Sequence, residues 1–311
     1  MRIAIFGSGG VGGYFGGRLA QAGEDVIFIA RGEHLQAMRQ NGLRVDSILG
    51  DFVISQSRAT DNPAEVGGVD VVLVAVKAWQ VPEAAEAMKP MVGPKTVVIP
   101  LENGVDAPDQ LAAVLGVEHV LGGLCRISVF IAAPGHIKHV AIQPHIAFGE
   151  LNGLPSERVE VLRKAFARAQ GMTVAVPVDI RAALWEKFLF IAAISGVGAV
   201  TRQPAGSLRS VPETRTLLLR AMEEIEMVAK ARGISLSPDI IQKTMGFIDN
   251  MPPATLASMQ RDIMDGHPSE LEAQNGAVVR LGREAGVSTP MHEFIYASLL
   301  PGELKARGEI S

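Results

Sequence analysis

Residues Gly7-Ser8-Gly9-Gly10-Val11-Gly12 follow a short apolar run, Ile3 to Phe6, and open a segment of helical pattern, Val11 to Ala22. The spacing G-x-G-x-x-G is weak by itself. Between a strand and a helix, however, each glycine has a task. Gly7 permits a tight turn, Gly9 lets the backbone approach a pyrophosphate, and Gly12 lets the helix pack closely on the strand. The helix start then offers unpaired N–H donors and the positive end of its dipole to phosphates. The loop, with Ser8, Gly10 and Val11 inside it, therefore predicts a dinucleotide site; the plain alternative is a glycine-rich structural turn. The second apolar run ends Phe28-Ile29-Ala30-Arg31-Gly32. An NAD site usually carries Asp or Glu there for the ribose hydroxyls, whereas a guanidinium suits the 2′-phosphate of NADP(H). Arg31 thus points to NADP(H), against the alternative of a solvated surface arginine. His34 beside it either assists or is simply exposed.

Other groups capable of chemistry lie further on. Lys77 and Asn103 follow the third and fourth apolar runs, at the carboxyl ends of strands, where open α/β sheets bind ligands. A surface lysine and a turn asparagine are the alternatives, Asn103-Gly104 being a common turn dipeptide. Lys187 heads an apolar helical segment. Burial of that helix would lower the lysine pKa from about 10.4 toward that of a useful general acid. A lysine snorkelling at the edge of a core explains the pattern equally well. Ser269 to Glu272 has the S-x-x-E form of a capping box, which places Glu270 in a first helical turn without needing it for the cap. Ser258 and Asp262 share one helical face. His136, His139 and His145 lack the acid or cysteine neighbours of a metal site, so no metal is expected.

These groups need elements to position them. The runs Ile3–Phe6, Val26–Ala30, Val69–Val76 and Thr96–Leu101 are β-branched without alternation, as in strands buried on both faces of a parallel sheet. Helical segments at 11–22, 81–89 and 107–115 can cover those faces, which is the βαβ pattern of a doubly wound domain. Leu121–Ala132, Ile137–Ile142 and His145–Phe148 read as strands extending the sheet in antiparallel sense, followed by a helix over 157–169 and a strand over 173–176. Beyond Pro177 the pattern is helical, over about 180–201, 212–232, 238–248, 253–265 and 269–285, with Gly233, Gly246, Gly266 and Gly286 at helix C-termini. The expected domains are 1–178 and 179–311. With 311 residues, 48% hydrophobic and 20% charged, the chain is no disordered tail. A net charge of -4 and 5% aromatic content disfavour nucleic-acid binding. One cysteine, Cys125, excludes an internal disulfide and fits a reducing cytosol. No signal peptide is visible, and the uncharged stretch Phe188–Val200 is too short to span a bilayer and reads as a buried core helix.

With Lys77, Glu102-Asn103-Gly104, Trp185-Glu186-Lys187 and Pro268-Ser269-Glu270 in view, the chain resembles the ketopantoate reductase (2-dehydropantoate 2-reductase) family over nearly its whole length. The resemblance implies an α/β N-terminal Rossmann-type doubly wound domain plus an all-α C-terminal domain, of the 6-phosphogluconate-dehydrogenase-like group. It implies NADPH-dependent reduction of a 2-keto acid to a 2-hydroxy acid, with ketopantoate, of pantothenate and coenzyme A synthesis, as the leading substrate. By position Lys187 matches the catalytic lysine, Asn103 a residue near nicotinamide and substrate, Lys77 a cofactor-site lysine, and Ser258 and Glu270 substrate contacts. Hydride transfer to a ketone builds negative charge on its oxygen, and Lys187 could polarise and then protonate that oxygen. The sequence departs from the family where substrate-binding asparagines usually stand, four and eight residues after the lysine: here they are Ile191 and Ser195. An isoleucine cannot bond a hydroxyl, so a less polar 2-keto acid is the alternative substrate. Further alternatives are a non-catalytic NADP(H)-binding sensor and an amine-coupling dehydrogenase of the opine type. The partner expected is a small-molecule 2-keto acid, with no nucleic acid and no membrane, in the cytoplasm; a homodimer through the helical half is left open.

Overall fold

Apolar on both faces, the valine and isoleucine runs form a parallel sheet in the computed structural model, which describes residues 1–311. The chain divides into two compact units: Met1–Glu102 with Asp106–Arg181, and Asn103–Val105 with Ala182–Ser311. The break falls after Arg181 rather than at 178, and the excursion of Asn103–Val105 into the helical unit has no sequence signature.

In chain order the first unit holds β1 (Arg2–Phe6), α1 (Gly10–Gln21), β2 (Asp25–Ile29), α2 (Gly32–Asn41), β3 (Leu43–Ser47), β4 (Phe52–Ile54), β5 (Arg58–Thr60), β6 (Val69–Val74), α3 (Val81–Met88), β7 (Val92–Pro100), α4 (Ala107–Leu115), β8 (Gly122–Ala133), β9 (His136–Gly149), α5 (Glu157–Phe166) and β10 (Thr173–Ala175). The main sheet runs β5-β2-β1-β6-β7, all parallel. Its strands bury Ile3, Ile5, Phe28 and Leu73, with Phe15 and Leu19 of α1 in the same core as Ile3, Ile5 and Phe28. The later strands do not extend this sheet, contrary to expectation. β8 pairs antiparallel with β9 in a second sheet, where β9 also pairs in parallel with β3 and β10. β9 is one continuous strand through Pro144, with Ile142 at a left-handed φ of 65°, so the two expected segments are halves of one.

The second unit holds α6 (Ile180–Thr201), α7 (Ala205–Ser210), α8 (Pro212–Ala231), α9 (Ile240–Asp249), α10 (Ser258–Met264), a π-helical turn over Glu272–Gly276, α11 (Ala277–Ala285) and α12 (Pro290–Ala306). By length and composition α6 could cross a membrane, but 67% of its apolar window is buried inside the protein. Leu189, Ala192, Ala193 and Val197 pack there with Met222 and Ile225 of α8 and with Val278 of α11, as a core helix should. The helix expected from 253 begins only at Ser258; the residues before it form a turn in which Thr255 N–H donates to the Pro252 carbonyl at 3.0 Å. Gly246 lies inside α9 rather than at its end, and the helix expected from 269 opens as the π turn.

A buried carboxylate–imidazole hydrogen bond anchors α12. Glu224 of α8 accepts from the N–H groups of Met291, at 2.7 Å, and His292, at 3.0 Å, and its Oε2 lies 2.8 Å from His292 Nδ1. The carboxylate thus caps the helix start. Burial pushes the Glu224 pKa up, but the bonds from His292 and the two backbone groups outweigh it and leave it lowered. Burial holds the His292 pKa below the ordinary 6.5, against the pull of Glu224. His34 and His145 are lowered as well, again first by burial. All three imidazoles bind a proton less readily folded than unfolded, so their stability contribution is complete above the unfolded pKa and is lost as pH falls below about 6.5. The urea midpoint should therefore drop between pH 7.5 and 5.5. His292→Gln should flatten that dependence; an unchanged slope would exclude His292 as a contributor.

Candidate active site

The glycine loop leaves β1 in a conformation that side chains would block. Gly7 has φ 98°, and a Cβ there would lie 2.7 Å from the Ala75 carbonyl oxygen; one on Gly12 would lie 2.0 Å from the Gly7 carbonyl oxygen. Gly9 differs: its Cβ would meet only Ile131 Cδ1, at 4.0 Å. The helix that follows has no side-chain cap and no acid in its first turn. Its first N–H groups are thereby left for an anion, beside a backbone that a pyrophosphate can approach. The residues present fit a dinucleotide. Ser8 is buried and donates through Oγ to the Ile29 carbonyl at 2.9 Å. His34 Nε2 lies 2.9 Å from the Ser8 carbonyl, and its Nδ1 accepts from Gly135 N–H at 3.1 Å. Nε2 is then the protonated nitrogen, and the ring ties the loop to the β8–β9 turn, a role sequence reasoning missed because the partner is 101 residues away.

Arg31 follows β2, exposed, with Nη2 3.3 Å from Glu83 Oε1. Both groups are well solvated, so the pair is weak and a phosphate could compete for the guanidinium. Lys77 is exposed after β6, its Nζ 5.7 Å from the centre of the Trp79 ring. Glu102, for which no role is predicted, is buried and joins two strand ends: it accepts from Val76 N–H and Leu101 N–H, both at 3.1 Å.

In the helical unit, Asn103 Nδ2 donates to Glu270 Oε2 at 2.9 Å. Glu270 is 7% exposed, and the same oxygen lies 3.4 Å from Gln274 Nε2. Gly104, at φ 110°, brings the chain so close to the π turn that a Cβ would lie 2.9 Å from the Ala273 carbonyl oxygen. π turns are rare and occur often at functional sites. Here the turn directs Asn275 inward, where Nδ2 donates to the Ala192 carbonyl of α6 at 3.1 Å. The expected capping box does not form: Ser269 Oγ donates to Glu303, and Glu272 accepts from the Tyr296 hydroxyl at 2.6 Å. The helix widens at Glu272, out of the register such a box requires.

Lys187 is half-buried, on a helix that is buried as expected: its neighbours Trp185, Phe188 and Leu189 are enclosed. Ile191, one turn on, is also half-buried. Ser195 stands apart from them. It has no exposed surface, and its Oγ has no hydrogen-bond partner, so it offers substrate no accessible contact here. Ser258 is half-buried at the first position of α10, a helix that Gln260 ties to α6 through the Gly198 carbonyl at 3.0 Å. No group of three or more His, Cys, Asp or Glu side chains is placed to hold a metal ion.

Comparison with known proteins gives a consistent likeness. The family model described as ketopantoate reductase PanE/ApbA matches residues 3–153, and its C-terminal counterpart matches residues 179–302. The uncharacterized oxidoreductase YkpB of Bacillus subtilis is 31% identical, covering 96% of this chain and 98% of its own. A 2-dehydropantoate 2-reductase of Mesorhizobium japonicum is 30% identical, covering 96% of each. Among solved structures, a PanE/ApbA family ketopantoate reductase from Ralstonia eutropha JMP134 aligns with a TM-score of 0.90 and 32% identity, over 99% of this chain and all of that one.

The loop geometry separates two substitutions. Gly12→Ala forces backbone to move and should cost about 1–3 kcal/mol of stability. Gly9→Ala should leave the unfolding midpoint unchanged yet weaken binding of a nicotinamide dinucleotide at least about tenfold, because its methyl enters the space a pyrophosphate needs. Calorimetric titration beside thermal melts checks both; undiminished affinity in Gly9→Ala would remove the loop from the cofactor site.

Proposed function

We propose a reaction for this chain from a fixed premise: it belongs to the ketopantoate reductase family. The reaction is reduction of a 2-keto acid to the 2-hydroxy acid with NADPH, ketopantoate to pantoate being the leading case. The observation that carries it is the 2.9 Å bond from Asn103 to Glu270, which joins two residues matched to substrate-handling positions 167 residues apart in the sequence.

A bound reduced nicotinamide would supply the hydride. The residues of this chain do the rest. Gly7, Gly9 and the N–H groups at the start of α1 hold the pyrophosphate, and Arg31 exchanges Glu83 for the 2′-phosphate. Lys77 adds positive charge on the cofactor side. Lys187 donates a hydrogen bond to the keto oxygen and then transfers its proton as charge builds there. Glu270 and Ser258 orient the substrate through its polar groups, and Asn103 holds Glu270. Half-burial suits Lys187 to this, since a lysine can pack its stem and still present its ammonium.

Ile191 supports a second substrate. An apolar side chain one turn from Lys187 removes a donor that a hydroxylated substrate would use, worth about 1–3 kcal/mol of discrimination. A branched 2-keto acid without the hydroxyl would then compete with ketopantoate.

The test is NADPH oxidation against a panel of 2-keto acids, including ketopantoate and its deoxy analogue, repeated with NADH. Lys187→Ala should cut kcat at least about a hundredfold while NADPH still binds; a loss of only a few fold would refute the acid role. Arg31→Asp should erode the preference for NADPH by about tenfold or more, and an unaltered preference would refute the phosphate contact. Absence of turnover on every acid would leave a non-catalytic cofactor binder.

A further inference from the structure

Glu303 of α12 is a buried carboxylate, 5% exposed, with no role in the reaction above. Its two oxygens accept from Ser269 N–H at 3.0 and 3.1 Å, and one also accepts from Ser269 Oγ. Arg307, the residue that caps the end of α12, donates to Glu303 through Nε at 2.7 Å and through Nη2 to the Ser269 carbonyl at 2.9 Å. Every polar group of Ser269 is therefore engaged by α12. The Ser269 hydroxyl oxygen in turn accepts from Leu271 N–H at 3.2 Å. The residue enclosed by these bonds is Glu270.

Burying the Glu303 carboxylate is costly even with a half-buried arginine beside it, and an apolar side chain of similar volume would often stabilise the fold as well or better. What the ionic clamp supplies instead is fixed direction: its bonds hold the peptide groups on both sides of Glu270. Gln274 N–H bonds the Glu270 carbonyl and Gly276 N–H the Leu271 carbonyl, both at 3.0 Å, so the π turn inherits its origin from residues 269–271.

We propose that Glu303 is a positioning residue: from the C-terminal helix it fixes the Ser269–Leu271 peptide and so sets where the Glu270 carboxylate meets Asn103 and substrate. The catalytic consequence rests on the reaction assigned above; the positional one does not. Wild type, Glu303→Gln, Glu270→Gln and the double variant are compared by amide hydrogen exchange over residues 269–276 and by kinetics with NADPH and the best acid of the panel. In Glu303→Gln, exchange over 269–276 should rise at least about tenfold with α8 unchanged. Turnover should fall about tenfold with KM for NADPH unaltered, and Glu303→Asp should recover part of it. In the Glu270→Gln background the same change should cost less than about twofold, because the two act as one unit. Unchanged exchange, or an equal loss in both backgrounds, overturns the proposal. If Glu303→Gln does not fold, Ser269→Ala removes the two bonds of the hydroxyl, to Glu303 and from Leu271 N–H, and carries the same readouts. A wild-type protein that reduces no 2-keto acid refutes the reaction, and exchange over 269–276 then decides the clamp alone.

Discussion

The bond between Asn103 and Glu270 is the constraint around which the candidate site is built. A carboxylate withdrawn this far from water needs donors, and leaving one unmade costs about 1–3 kcal/mol. Asn103 supplies one at 2.9 Å, and it can do so because the chain steps out of one unit and into the other at that residue. Glu102, immediately before it, is held on the sheet side by two strand-end N–H groups, while Gly104, immediately after it, sits against the π turn in a backbone conformation that a side chain would strain. Three consecutive residues thus fix the path of the chain, the partner of the acid and the approach of the turn that carries it.

The same logic separates what the sequence discloses from what it hides. The buried valine runs, the glycine loop and the helices over 180–201 and 212–231 are legible because their patterns are local. Strands β3, β4 and β5 are not. They are three to five residues long, and β3 and β5 carry Arg44, Asp46 and Arg58, so these two look like loop until β9 and β2 pair with them, while the three-residue β4 is too short to show a pattern and pairs only with β3. The second sheet is hidden for that reason, and Pro144 makes its central strand read as two. Helix α12 was overlooked because Pro301 interrupts its pattern.

At the site, residue types were legible and partners were not. Lys187, Asn103, Glu270 and the glycines stand out by type and position. Their supports, by contrast, come from distant places: His34 under Ser8, Glu102 between two strand ends, Glu303 around Ser269. A capping box reads plausibly from Ser269 and Glu272 until an acid far along the chain takes the serine and a π turn moves the glutamate. Ser195 shows the opposite failure. Its spacing from Lys187 is right for one helical face, yet that face passes from half-exposed to enclosed along α6.

The account gives each unit its own chemistry, anion binding in the sheet unit and polarisation of a carbonyl in the helical one, and its central claim is that the Lys187 ammonium serves the keto oxygen. A crystal structure with NADP+ and an unreactive 2-keto acid analogue tests that most directly. Lys187 Nζ should lie within roughly 3 Å of the oxygen that stands for the keto group, with Glu270 in contact with the analogue. A lysine aimed into bulk water, with the analogue bound elsewhere, would contradict it.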